Sequence, residues 1–372
     1  MAPETETDAA PNAAADDAEA SSSDAAFGDE SSAAQRTAVG VKLGSTRTVL
    51  SMGRDEERRV VKTLTCLATY EDALTGDERV LYGETAAAEY PDRVQYMLRS
   101  GLPEDDERAE LTERFFAELL RSESVPEDSG VVYAIPTIDN EPGLENLGAV
   151  VEDSEIGSEG VRSYPESLCG AIPAMGDGLE AINDIFVSIN LGSTNLEACA
   201  YRRGEQLAPW ATGAVTGVGV DRAITGYVEE ETQRRVTVDQ QTAREYKEQH
   251  ADFVDYEPFT DIVQQPGGGS HEFTIEWAVM DAVDEFVDAA VEAVADDFLP
   301  GVAQEHVRVY RRALDRPIVL TGGMACIPGL VEEFETRLSE TLDREVTCVA
   351  PDDPELAAAE GAQRIAERLL EN

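Results

Sequence analysis

The tetrapeptide Leu-Gly-Ser-Thr occurs twice, at 43–46 and at 191–194, each time joining two apolar runs. VGVKLGSTRTVL and VSINLGSTNLEACAY thus repeat one design, strand, glycine turn and strand, roughly 150 residues apart. Turns built on Gly44-Ser45-Thr46 and Gly192-Ser193-Thr194 can direct N–H groups and hydroxyls at an anion. No other feature constrains the fold as much. A duplicated hairpin of this kind implies two similar lobes facing each other across a cleft, with one polyphosphate held from both sides.

The intervening sequence is α/β in character. RRVVKTLTCLATY and RVLYGETAAAEY read as strands with a short helix, ERAELTERFFAELLRS as an amphipathic helix, and GVVYAIPT as a buried strand ended by proline. SYPESLCGAIPAMG reads as a helix entered through Pro165. Three helical stretches follow the second hairpin, and RPIVLTGGMACIPGLVEEFETRL then reads as strand, glycine turn and helix. Expected boundaries are an acidic tail over 1–35, a first lobe over 36–184 with a small subdomain at about 58–100, and a second lobe over 185–350 with a small subdomain at about 228–272. Residues 351–372 are expected to return to the first lobe as a C-terminal helix. The tail has one aromatic residue and no basic one, a composition that predicts disorder.

The formal net charge of −47 is spread along the chain, and Lys42, Lys62 and Lys247 are its three lysines. Such a chain repels itself in dilute buffer, while molar salt shortens the Debye length to about 3 Å. The expectation is a cytoplasmic protein adapted to high internal salt, with nucleic acid excluded as a partner. Five cysteines without a C-x-x-C pair and three scattered histidines point to no disulfide or metal framework. No apolar run is long enough for a membrane helix, and no membrane anchor is evident.

In order, VGVKLGSTRT, ESLCGAIPAM, NLGSTNLEA, TGVGVDRAI followed by TAREYKE, and VLTGGMACIPGL resemble motifs of the actin superfamily. The likeness is greatest to the bacterial MreB proteins and to haloarchaeal actins of the salactin and volactin type, and it runs from about Val39 to the C-terminus. It implies a two-lobed actin-like fold, a duplicated ribonuclease-H-like design with a central nucleotide cleft. It also implies ATP as ligand. The nucleotide-binding positions would be Lys42, Gly44, Ser45, Thr46, Asn190, Gly192, Ser193, Thr194, Gly217, Lys247, Glu248, Gly322, Gly323 and Met324. Glu166 matches the residue that orients the attacking water, the main protein task in phosphoryl transfer. Asp221 reads as a helix-start acid.

One departure matters. Both hairpins of the family carry an aspartate that holds magnesium-bound water, whereas this chain has Lys42 and Asn190 there. Magnesium as a cofactor is therefore open, and so is ATPase activity. Lys42 has three readings: a phosphate ligand in place of the metal, an ion pair with Glu166 across the cleft, or a side chain turned away. The leading functional expectation is a self-assembling cytoskeletal filament with weak or altered hydrolysis. A non-polymerising adaptor or pseudo-ATPase and a small-molecule kinase are the alternatives.

Overall fold

A computed structural model describes residues 37–53, 58–176, 178–264 and 270–371. The acidic tail expected to be disordered lies outside the described residues. Along the chain, β1 (Thr37–Leu43) and β2 (Arg47–Met52) form the first hairpin and β3 (Arg59–Leu64) extends it. Then come β4 (Cys66–Glu71), β5 (Glu78–Tyr82), α1 (Gly83–Glu89) and β6 (Gln95–Tyr96). The first half continues with α2 (Asp106–Ser122), β7 (Ser129–Ile135), α3 (Glu141–Glu152), β8 (Val161–Pro165) and α4 (Glu166–Ala174). The second half opens with β9 (Ile185–Leu191), β10 (Leu196–Arg202) and β11 (Glu205–Thr212), then α5 (Gly217–Glu231), α6 (Gln240–His250), β12 (Phe259–Gln264) and β13 (Ser270–Ile275). It closes with α7 (Ala278–Ala293), α8 (Leu299–Glu305), α9 (Val307–Ala313), β14 (Ile318–Thr321), α10 (Leu330–Thr341), β15 (Cys348–Val349) and α11 (Ala357–Leu370).

The repeated hairpins sit in sheets of identical topology. One five-stranded sheet has the order β3-β2-β1-β7-β8 and the other β11-β10-β9-β14-β15. In each, the hairpin strands pair antiparallel and the central strand then pairs parallel with a crossover strand. β3 belongs to the first large sheet, so the small three-stranded sheet β5-β4-β6 begins at Cys66 and not near residue 58 as the sequence suggested.

Local chemistry explains the helices. α2 is capped by Asp105, whose side chain accepts from the Arg108 N–H at 2.9 Å, and Thr216 and Asp239 cap α5 and α6 in the same way. α7 buries Val279, Val283, Phe286, Val287 and Ala290, a helical stripe facing the second sheet's core. α4 is buried on two sides. Cys169 and Ile172 pack with α11, β1 and β7, while Leu168 and Ala171 pack with Phe186, Tyr201 and Val319 of the second sheet. α4 can approach α11 closely because Gly361 has no side chain; a Cβ there would stand 1.9 Å from the Cys169 carbonyl oxygen. Glu166 is thus placed at the start of a helix wedged between the two sheets.

Candidate functional site

Each hairpin closes on itself in the same way. The Gly44 N–H donates to the Arg47 carbonyl at 3.1 Å, and the Gly192 N–H donates to the Asn195 carbonyl at 3.0 Å. The two tips meet, with Ser45 Oγ and Thr194 Oγ1 3.0 Å apart. Ser45 Oγ also accepts the Gly101 N–H at 2.7 Å. α5 docks on the second hairpin, the Gly217 and Val218 N–H groups donating to the Gly192 and Ser193 carbonyls at 3.0 and 2.8 Å. Those two amides are therefore occupied by the hairpin.

Between the hairpins lies a charged cluster. Lys42 Nζ sits 2.8 Å from Glu166 Oε1, and Asn190 Nδ2 donates to the same oxygen at 2.9 Å. The Lys42 side chain is therefore not turned away from the cleft, but makes the ion pair with Glu166 across it. Burial lowers the affinity of the ammonium for its proton, but the Glu166 carboxylate, its hydrogen bond, and Glu355 and Glu197 more than offset this, so the Lys42 pKa lies above its ordinary value. Lysine here stays charged.

Glu197 joins the cluster unannounced by the sequence reading. It is the cross-strand partner of Asn190 and fully buried. It accepts the Thr137 N–H at 2.8 Å and a hydrogen bond from the Asn195 amide. Burial, and then the nearby Glu166 charge, push its carboxyl up to about 8. Its signal was present in the quoted motif NLGSTNLEA, but only the pairing register brings it beside Asn190.

On one side of the hairpins lies a cavity of about 300 Å³ whose lining includes Thr46, Ser193, Gly217, Lys247, Glu248 and Gly323. Gly323 has open space where a Cβ would project, and Met324 is buried against Gly217. Gly322 lies at φ +91 with Asn190 Oδ1 2.5 Å from the position of a would-be Cβ, so glycine is required both by the backbone and by the contact. Lys247 pairs with Asp221 Oδ1 at 2.5 Å and donates to the Gly217 carbonyl at 3.2 Å. Arg244 Nε also reaches Asp221, at 3.4 Å. Asp221 does not sit in the first turn of α5, where a helix-start acid would. It is 1% exposed and is the counterion of two cations.

Arg47 is the second residue the sequence reading missed. Its Nη2 lies 2.7 Å from Glu248 Oε2, and its Nε lies 3.1 Å from Glu355 Oε1, while Lys62 holds the other Glu355 oxygen at 2.9 Å. Arg47 Nη1 is buried with no hydrogen-bond partner among the described residues and stands in the cavity wall. Superposing the two tetrapeptides would have flagged it, because Arg47 occupies the place held by Asn195 in the second hairpin. All fourteen expected nucleotide positions and Glu166 fall on the hairpins, on the start of α4, or around this cavity. Among the described residues no group of three or more His, Cys, Asp or Glu could hold a metal ion. The four buried cysteines and the exposed Cys326 are free thiols.

The salactin family model matches residues 36–370. The chain belongs to the salactin family. The salactin of Halobacterium salinarum is 64% identical over 351 residues, which cover 94% of this chain and 96% of that protein. Two solved structures share the architecture. A structure described as the MamK double helical filament matches with TM-score 0.69 and 18% identity over 89% of this chain and 99% of its own. MreB5 of Spiroplasma citri bound to AMPPNP matches with TM-score 0.71 and 17% identity over 91% of this chain and 97% of its own. At such identities the likeness shows the fold alone, and that fold is actin-like. This salactin-family chain has no helix among its described residues long and apolar enough to cross a membrane.

Proposed function

We propose that the chain binds ATP in the cleft between its two sheets, with a cation of its own in place of a protein-held metal, and assembles into cytoskeletal filaments. The observation that carries the reading is Lys42, whose ammonium, on a side chain 14% exposed, lies between the two phosphate-type hairpins and 2.8 Å from Glu166. A magnesium ion held by protein carboxylates does not fit this donor set, since the two places at the hairpins hold an ammonium and an amide. At about 4 Å from a phosphate oxygen, such an ammonium contributes on the order of 4 kcal/mol at an effective dielectric of 20, before desolvation. Arg47, whose Nη1 is unsatisfied at the cavity wall, adds a second cation on the same hairpin.

Glu166 would orient the attacking water through Oε2, because both Lys42 and Asn190 engage Oε1. With Lys42 and Asn190 both holding one of its oxygens, Glu166 has less of its carboxylate free to position water, so hydrolysis is expected to be slow. The filament part of the proposal draws on the named relatives: a MamK filament and an MreB5 that binds AMPPNP. A second reading, a structural cleft in a non-polymerising adaptor, is favoured by the fact that Lys42, Glu166 and Asn190 already satisfy one another.

High-speed sedimentation with electron microscopy in multi-molar KCl, paired with ATP-binding titrations in EDTA and in magnesium, separates them. Filaments that appear with ATP, and ATP binding that survives EDTA, are expected. Nucleotide-indifferent behaviour with no pelleting would sink the first reading in favour of the adaptor.

A further inference from the structure

In a chain with 76 acidic residues against 29 basic ones, residues 306–316, HVRVYRRALDR, carry four arginines and one aspartate. The fold gathers more. The β10–β11 turn brings Arg202 and Arg203 to the same place, where Arg202, Arg203, Arg312 and Arg316 line a cavity of about 580 Å³ together with Asp184 and Asp315. α9 packs against β9 and β10, which fixes this juxtaposition.

The arginines exceed their local counterions. Arg316 Nη1 pairs with Asp184 at 2.7 Å, Arg202 Nη2 pairs with Glu205 at 2.7 Å, and Asp315 is held by Arg344 at 2.6 Å. Arg203, Arg308, Arg311 and Arg312 are exposed, with no carboxylate partner among the described residues. Where carboxylates are in such excess, arginines that gather with fewer counterions than charges make a local reversal of sign. Arg203 also stands at φ 55 beside Gly204 at φ 75, a two-residue turn whose backbone favours Asn or Gly. Val307, at the start of α9, is 52% exposed beside these cations.

The patch lies away from the cleft. Strand β9 runs from Ile185, the partner of Arg202, to Leu191 at the hairpin tip, a span of about 20 Å at the usual rise per residue. On the cleft side, α6 leads into a loop where Val254 is 77% exposed and β12 where Ile262 is 57% exposed, with Asp255 and Glu257 exposed between them.

We propose that the arginine patch is one face of a head-to-tail contact between copies of this chain, and that it receives the acidic segment 254–262 of the next copy. The proposal rests on the filament reading above. A patch meeting its own symmetry mate would set arginine against arginine, so the contact is heterologous and does not close on itself. Acid meets base, and Val307 is covered by the exposed Val254 and Ile262. At molar salt, charges act only at contact, which suits short arginine–carboxylate forks around an apolar centre better than long-range attraction.

Complementary charge reversal tests it. Arg312→Glu with Arg316→Glu is expected to abolish pelleting in ATP, raising the critical concentration by more than about tenfold, or 1.4 kcal/mol per contact. Its ATP binding and far-UV circular dichroism should match the wild type. Asp255→Arg with Glu257→Arg is expected to fail likewise when alone. Mixed one to one, the two variants should co-pellet, since each reversed face then meets an opposite charge, and a chain carrying all four reversals should regain assembly. Arg312→Lys tests charge against packing and should still pellet. Arginine-reversed chain that pellets beside wild type overturns the patch as a contact, and single variants that fail without mutual rescue overturn the pairing. Wild type that does not pellet sinks the filament reading instead.

Discussion

The two hairpins share a backbone and differ in charge. Their turns close through the same hydrogen bond, from Gly44 to Arg47 and from Gly192 to Asn195, and their strands sit in sheets of the same order. At the two positions flanking the tetrapeptide, however, the first hairpin carries Lys42 and Arg47 and the second Asn190 and Asn195. Across the strands, Lys42 faces Val49, whereas Asn190 faces Glu197. One hairpin supplies cations and the other supplies amides and a buried acid. Backbone geometry can thus be retained by a duplication while the electrostatics become one-sided, which is what a cleft needs if the protein and not a metal is to balance an anion.

Glu166→Leu strikes the comparison hardest. It leaves the Lys42 ammonium buried without a counterion and the Asn190 amide without its acceptor, so a loss of about 3–5 kcal/mol in chemical denaturation is expected. Adding Lys42→Met should recover much of it. A loss below about 1 kcal/mol, the value of an exposed pair, would mean that water reaches the cluster and that the charge asymmetry is cosmetic.

Glu197→Gln sharpens it through pH. In the unfolded chain this carboxyl releases its proton near its ordinary 4.5, whereas in the folded protein it holds it until about 8. Folded wild type therefore loses stability as pH rises across that window, by roughly 1.4 kcal/mol per unit at most. The glutamine variant has no such proton to lose and should show a flatter profile, its advantage of a few kcal/mol being greatest at about pH 9. Parallel profiles in urea melts at pH 6 and 9 would show that Glu197 is ionised throughout.

A smaller effect is expected from Lys42→Asp, which makes the first hairpin acidic. ATP affinity in EDTA should fall by at least about tenfold, equivalent to 1.4 kcal/mol, and magnesium should restore it. An unchanged titration would remove Lys42 from the phosphate site. Smallest is Thr194→Val, which deletes the hydroxyl contact with Ser45 and should cost about 1 kcal/mol in thermal or chemical unfolding. No measurable cost would show that the tips touch without depending on each other.

Much of this was legible in the residues. The repeated tetrapeptide announced the duplicated hairpin because glycine turns and alternating strands are local features, and the order of motifs identified the fold. Glu197, Arg47 and the role of Asp221 were not legible. A buried acid, a cation at a cavity wall and a counterion shared by Lys247 and Arg244 each depend on which strands and helices lie opposite, and no local pattern encodes that.

The sequence by itself determined two matched glycine turns, an α/β chain around them, a strong excess of acidic residues, and a lysine and an amide at the matching places before the two turns. Short-range chemistry, backbone freedom at glycine and hydrophobic periodicity suffice for that. Only the tertiary structure decided that Lys42 meets Glu166, that Asn190 shares its oxygen, and that four arginines from two distant segments line one cavity at the far end of the second sheet. Those outcomes depend on register and on helix placement across more than a hundred residues, where burial and Coulomb energy are settled by neighbours in space.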